Sequence, residues 1–213
     1  MTGTAGVDII KAVPLAAGVS TTEEERSMNY YISDYHFGFG RVNVIDKRTF
    51  PSEQARIDTI VSNWNSCVTD EDTVYILGDL IWSEAHEALG VAVLKQLKGR
   101  KFLVTGNHDH IESCAALRRE LAGHSPLVEL VDEGIPLVLC HYPIVFYPHQ
   151  RKGGIMLYGH IHDSGEQRYL NAWVEAYRKD GLPCNMINVG CMMPHMDFTP
   201  RTLRQLLAAA EQN

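Results

Sequence analysis

The chain has 213 residues, of which 45% are hydrophobic and 21% charged, and its formal net charge is −7 at pH 7. These values suit one globular domain with a sizeable core, and no apolar stretch approaches the roughly 20 residues that a membrane span needs. The acidic balance disfavours a surface built for long nucleic acids, yet it leaves phosphate substrates open, because bound metal ions can supply positive charge locally.

Residues 1–27 stand apart. A short apolar patch from Ile9 to Val19 is broken by Lys11 and Pro14, and no basic leader precedes it, so a secretory signal is not expected. Met28 then opens MNYYISD as a strand would, and the preceding EEERSM can be encoded by a purine-rich run resembling a ribosome-binding site. The expectation is that Met28 is the natural start, that residues 1–27 form a disordered or non-native extension, and that residues 28–213 make a single domain. The five cysteines, Cys67, Cys114, Cys140, Cys184 and Cys191, are odd in number, widely spaced and without a CxxC. That usage predicts small core thiols in a reduced, cytoplasmic setting.

From Met28 short strand-like runs alternate with amphipathic helices. NYYIS (29–33) reads as a strand, and a loop carrying Gly38 and Gly40 follows. Ile57, Ile60, Val61, Trp64 and Val68 recur at helical spacing. TVYIL (73–77) is the next strand, Ser83 is a candidate cap for a helix through Leu97, and Gly99 is its stop. KFLV (101–104) is a third strand, and a third helix is predicted over 111–122, ending at Gly123. The second half is richer in strands: LVELV (127–131) and IPLVLC (135–140) flank Asp132-Glu133-Gly134, a hairpin signal. IMLYG (155–159) and NMINVG (185–190) are further apolar runs, residues 169–181 fit either a helix or an edge segment, and Thr199-Pro200 opens a last helix. The class predicted is α/β with mixed sheets.

Five of these runs end in metal-ligand residue types. YIS leads into Asp34-Tyr35-His36, VYIL into Gly78-Asp79, and FLVT into Gly106-Asn107-His108-Asp109. LVLC leads into His141, and MLY into Gly159-His160-Ile161-His162. In open α/β sheets ligands bind beyond the carboxyl ends of the strands, so such tips can converge on one crevice. Asp34 with His36, and His160 with His162, share an i, i+2 spacing that in extended chain faces two donors the same way. Imidazole mixed with carboxylate suits Mn, Fe or Zn better than Ca, and no thiolates accompany them at zinc-finger spacing.

The series D-x-H, G-D, G-N-H-D, H and G-H-x-H resembles the calcineurin-like metallophosphoesterase superfamily over about residues 28–198. The stretch around YYISDYHFGF is most similar to small bacterial and phage phosphoesterases. Phe39 stands where those proteins often carry a histidine, so an altered substrate contact is expected. The resemblance implies a β-sandwich of mixed sheets flanked by helices, with two divalent ions (Mn, Fe, Zn or Ni, manganese favoured). It implies that Asp34, His36 and His162 hold one ion, that Asn107, His141 and His160 hold the other, and that Asp79 bridges them together with a water or hydroxide. His108 would face the substrate, with Asp109 steadying it or its loop. The implied activity is hydrolysis of a phosphomonoester or phosphodiester, on a small substrate such as a nucleotide. A neutral Asn107 completes a coordination sphere without cancelling the positive charge that attracts phosphate, and His108 can protonate the leaving alkoxide.

Three rivals are weaker. Gly38-Phe39-Gly40 follows a strand, but a dinucleotide fingerprint would need a third glycine where Asn43 stands, and no GxxxxGK[ST] is present. A non-catalytic scaffold of the same fold would be expected to lose ligands or the His108 equivalent, and this chain keeps them all. His86, His124, His149 and His195 carry no motif and are read as solvated or hydrogen-bonded. His110 lies near the site in sequence, and Arg41 is within range of a substrate phosphate or a plain surface residue.

Overall fold

The computed structural model describes residues 27–41 and 50–211; the proposed N-terminal extension, apart from Ser27, lies outside them, as does Asn43. From Met28 onward the chain is tied into the sheet: the Met28 amide donates to Asp72 Oδ1 at 2.7 Å and its carbonyl accepts from Thr73 N at 2.9 Å.

Two sheets share one core. The first has strand order β4-β3-β2-β1-β9, with β1 (Asn29–Ile32), β2 (Thr73–Ile76), β3 (Arg100–Val104) and β4 (Gly123–Ser125) parallel and β9 (Arg201–Thr202) antiparallel. The second runs β5-β6-β7-β8, with β5 (Leu127–Asp132) antiparallel to β6 (Ile135–Cys140), followed by parallel β7 (Ile155–Tyr158) and β8 (Asn185–Asn188). Strand alternation decides which layer each side chain enters. Leu137, Leu139, Ile155 and Leu157 join Tyr31, whose hydroxyl reaches Asp132 of the second sheet, in the core between the sheets. Val138, Cys140, Met156 and Tyr158 point the other way, under Leu170, Trp173 and Tyr177 of helix α4 (Gly165–Lys179). Strands buried on both faces read as unbroken apolar runs, which is why these did. Helix α1 (Glu53–Cys67) packs Ile57, Ile60 and Trp64 into the first core. Four of the five free cysteines are buried.

Register sets the level of the site. Ile32 pairs with Ile76, and Ile76 with Leu103, so the segments after β1, β2 and β3 leave the sheet side by side. Leu139 pairs with Leu157, and Tyr158 with Asn188, which does the same for β6, β7 and β8. A parallel bridge between Ser33 and Gly190, with Cys191 N donating to Ser33 O at 2.8 Å, joins the tips of β1 and β8. Six strand ends therefore open onto one crevice.

Several elements differ from expectation. The helix predicted from Ser83 to Leu97 is a single 3-10 turn (Glu84–His86) followed by α2 (Glu87–Leu94). Ser83 Oγ pairs with His86 Nδ1 at 3.0 Å rather than capping the backbone, and His86 leaves the helical region. The helix predicted over 111–122 shrinks to α3 (Ala115–Arg119), and Gly123 starts β4, because pairing with Phe102 of β3 takes the chain. The last helix α5 (Leu203–Ala210) begins later than Thr199-Pro200, since Arg201 and Thr202 first pair with β1. Thr202 and Gln205 then form a capping box. The ambiguous 169–181 stretch lies mostly in α4, whose N-cap Ser164 accepts from Glu166 N. Glu133 and Gly134 turn the β5–β6 hairpin with φ of 49° and 81°, the left-handed pair that matches strand twist.

Candidate metal centre

The tips of β1 and β2 are zipped beyond the sheet. Asp34 N donates to Gly78 O (3.0 Å), His36 N to Asp79 O (2.8 Å), Phe37 N to Leu80 O (2.9 Å) and Trp82 N to Phe37 O (3.0 Å). This ladder holds Asp34, His36 and Asp79 on a common edge. Five of the seven candidate ligands have left-handed backbones: Asp34, His36, Asp79, His160 and His162, with φ between 47° and 68°. Non-glycine residues rarely adopt that region, and such conformations cluster where geometry is imposed by function. Two of the motif glycines are explained by close approach. A Cβ on Gly159 would collide with Ser33 Oγ and the Asp34 carboxylate, and one on Gly106 with the Asp79 carboxylate.

The seven side chains meet. Ligand atoms of Asp34, His36 and His162 lie within 4.8 Å of one another, as do those of Asp79, His141 and His160, and those of His36, Asp79 and His108. Asp79 Oδ2 is 3.5 Å from His36 Nε2 and 3.3 Å from His141 Nε2, so this one carboxylate touches both halves. His36 Nε2 and His162 Nε2 face each other at 3.1 Å, and Asn107 Oδ1 is 3.1 Å from His141 Nε2. His160 reaches its place through its own amide, which donates to both Asp34 oxygens at 3.1 and 3.2 Å. These imidazole nitrogens and carboxylate oxygens crowd together, are mostly withdrawn from water and could hold a metal ion.

Protonation among the protein groups follows from burial and pairing. Burial alone would raise Asp79, but the hydrogen bond and charge of His141, then the charge of His36, hold it down at about 2. Burial would lower His141, and the Asp79 hydrogen bond and both carboxylates outweigh it, raising it to about 9. Both its nitrogens face acceptors, since Nδ1 donates to Leu77 O at 2.8 Å. His36 falls to about 3, chiefly through burial, so its imidazole is neutral and free to ligate. Burial lifts Asp34 and lowers His160.

His108 sits beside this cluster. Its amide donates to Asp79 Oδ1 (3.0 Å), and Nδ1 is 3.0 Å from Trp82 O. Asp109 turns to the backbone around it. Fully buried, it accepts from Asp79 N (2.9 Å), Leu80 N (2.8 Å) and Gly106 N (2.7 Å). Its oxygens are committed to the backbone, so it locks the second and third motifs together rather than reaching a substrate.

Sequence reasoning missed three supports. Arg56, 1% exposed, donates from Nη1 to Tyr35 O (2.7 Å) and from Nη2 to His36 O (3.4 Å). Asn188 donates to His162 O (3.2 Å) and accepts from Gly190 N (2.8 Å), and its own carbonyl contacts His195 Nε2 at 2.8 Å. Trp82 stacks between Phe39 and His108. Arg56 alone had a signal, a cation on the same helical stripe as Ile60. His86 packs its ring against Gly38, and exposed His149 pairs with Glu129 at 3.3 Å.

Comparison with known proteins gives the fold wider standing. No family model matches the chain. Over 80 residues it is 38% identical to the uncharacterized protein MJ1445 of Methanocaldococcus jannaschii, a match that covers 38% of this chain and 46% of that one. Over 85 residues it is 34% identical to the Gene 66 protein of Mycobacterium phage L5, covering 39% and 40% respectively. The chain thus spans less than half the length of the curated relatives it matches. The solved structure of AQ665, a protein of unknown function from Aquifex aeolicus, superposes over 86% of this chain and 100% of that one, at 24% identity and a TM-score of 0.66. The mixed α/β fold, two mixed sheets flanked by helices, is therefore shared. A novel archaeal phosphodiesterase is a fainter likeness, with a TM-score of 0.40 and 15% identity over 63% of this chain and 73% of that one. No helix among the described residues is long and apolar enough to cross a membrane.

Proposed function

We propose that this chain is a metal-dependent phosphohydrolase that cleaves a phosphomonoester or phosphodiester of a small substrate such as a nucleotide. One observation carries the reading: Asp79 stands in contact range of both His36 and His141, so two ligand groupings share a single carboxylate. In this reading Asp34, His36 and His162 hold one divalent ion, Asn107, His141 and His160 the other, and Asp79 bridges. When bound, such an ion pair acidifies a water to serve as nucleophile and clamps phosphoryl oxygens for in-line attack.

The chain's own groups supply the rest. Asp34 and Asp79 are the only carboxylates in this ligand set, so two divalent ions retain net positive charge toward a phosphate within an acidic protein. Asn107 contributes an oxygen without adding negative charge. His108, with Nδ1 turned to a carbonyl, presents Nε2 to the leaving oxygen, and the ring protonated on both nitrogens gives its Nε2 proton there and is left as the Nδ1–H form.

The test pairs elemental analysis of the purified protein with a screen of nitrophenyl phosphate mono- and diesters under Mn, Ni, Fe and Zn. His108→Ala is expected to keep its metal content and lose about 10²–10⁴-fold in turnover. Wild-type turnover in that variant would remove His108 from the mechanism. A protein that takes up no divalent ion would end the proposal.

A further inference from the structure

We propose that Trp82 is a positioning residue for His108, fixing its tautomer and ring plane before substrate arrives. This rests on the phosphohydrolase reading for its consequence, but not for its geometry. A carbonyl can only accept, so the 3.0 Å contact between Trp82 O and His108 Nδ1 places a hydrogen on Nδ1. Nε2 is then the nitrogen left to handle the substrate's proton. A flip of the imidazole would exchange Nδ1 for Cδ2 and forfeit that bond.

The indole secures the plane. Its ring lies 4.1 Å from the His108 ring at 23°, and Phe39 covers its opposite face at 3.8 Å and 16°. With both faces occupied, Trp82 has none to offer a substrate base. His36 closes the fourth side, edge-on at 5.8 Å to Trp82 and 5.3 Å to His108. Trp82 is itself anchored, as the last rung of the ladder between the first two motifs, through Phe37 O. The phenylalanine at position 39, where related patterns carry histidine, thus belongs to a three-ring stack that ends on the proposed acid.

The experiment uses Trp82→Ala, Trp82→Phe, Phe39→Ala, His108→Ala and the double variant Trp82→Ala/His108→Ala as zinc-loaded full chains. Phenyl and nitrophenyl phosphate diesters are the probes. Trp82→Ala is expected to lose about 10²-fold in kcat on the phenyl ester, the scale of a misplaced catalytic group. The loss should be smaller on nitrophenol, which needs little protonation to leave, with KM within twofold and zinc content unchanged. Trp82→Phe should recover most of the activity, and Trp82→Ala should add nothing once His108 is gone. Two-bond proton–nitrogen spectra should show the Nδ1–H tautomer of His108 in wild type and a mixture in Trp82→Ala, or in Phe39→Ala if the larger change fails to fold. Independent, multiplicative losses in the double variant, or an unchanged tautomer in the variants, overturn the proposal. A wild-type protein inactive on every ester would sink the phosphohydrolase reading alone, since the spectra still decide the role of Trp82.

Discussion

Helices α1 and α4 are each 15 residues long and each serves one half of the candidate site, yet they are built in opposite ways. Helix α1 drives Arg56, Ile57, Ile60 and Trp64 into the interior, and Arg56 clamps the carbonyls of Tyr35 and His36 from beneath. Helix α4 begins just beyond His162, buries only Leu170, and leaves Tyr169 79% exposed. The first half of the centre is gripped by backbone rungs and a buried cation. The second is latched by side chains: the Asp34 carboxylate under the His160 amide, and Asn188 under the His162 carbonyl. A site assembled this way has one jaw held by backbone rungs and one held by side-chain latches.

Four experiments test that asymmetry, beginning with the largest effect. Asp79→Ala removes the carboxylate common to both jaws, and should abolish metal loading by elemental analysis together with turnover. Arg56→Met takes the buried charged donor from the Tyr35 carbonyl, while His36 O keeps the Phe39 amide, at a cost of about 3 kcal/mol in denaturant unfolding. Tyr169→Ser on α4 should stay within about 0.5 kcal/mol by the same measurement. Equal losses would show that the two helices support the site alike. Asn188→Ala should weaken ion binding about tenfold in titration calorimetry, the scale of outer hydrogen bonds that orient ligands.

A further test is one of pH. His141 is raised from 6.5 to about 9, so in ion-free protein its contribution is complete below pH 6.5 and fades as pH rises through 9. Asp79 is lowered from 3.8 to about 2, so its share is complete above 3.8 and is lost only as pH falls through 2. An ion needs His141 without its proton. The rise in Tm on adding zinc should therefore grow from pH 6.5 to pH 9 while the Tm of ion-free protein declines. A zinc effect that shrinks over this range would count against His141 as a ligand.

The strand tips were legible because each candidate ligand ends an apolar run, and parallel strands in register must release their tips at one level. What could not be read was non-local. Nothing in YISD or NVGC announces that Ser33 bridges Gly190 and so ties one sheet to the other. Gly123 reads locally as a helix stop, and only its pairing with Phe102 makes it a strand. Arg56 stands out only as a cation on the apolar stripe of its helix, and Asn188 reads as a polar strand residue, because the carbonyls they serve are distant in sequence. Asp109 was read as support for its own loop, and its bonds to Asp79 N and Leu80 N in the second motif were not foreseen. A carboxylate's targets depend on backbone amides whose directions the residue types do not encode.

The left-handed residues set stability against chemistry. At Asp34, His36, Asp79, His160 and His162, glycine would adopt the observed backbone without the steric cost an L side chain meets there. Each such replacement would relax the chain and delete a donor. Selection for robustness alone would thus erode this centre one position at a time, and a demand for its donors, such as a bound ion would make, is what would hold five side chains in turns that glycine fits better.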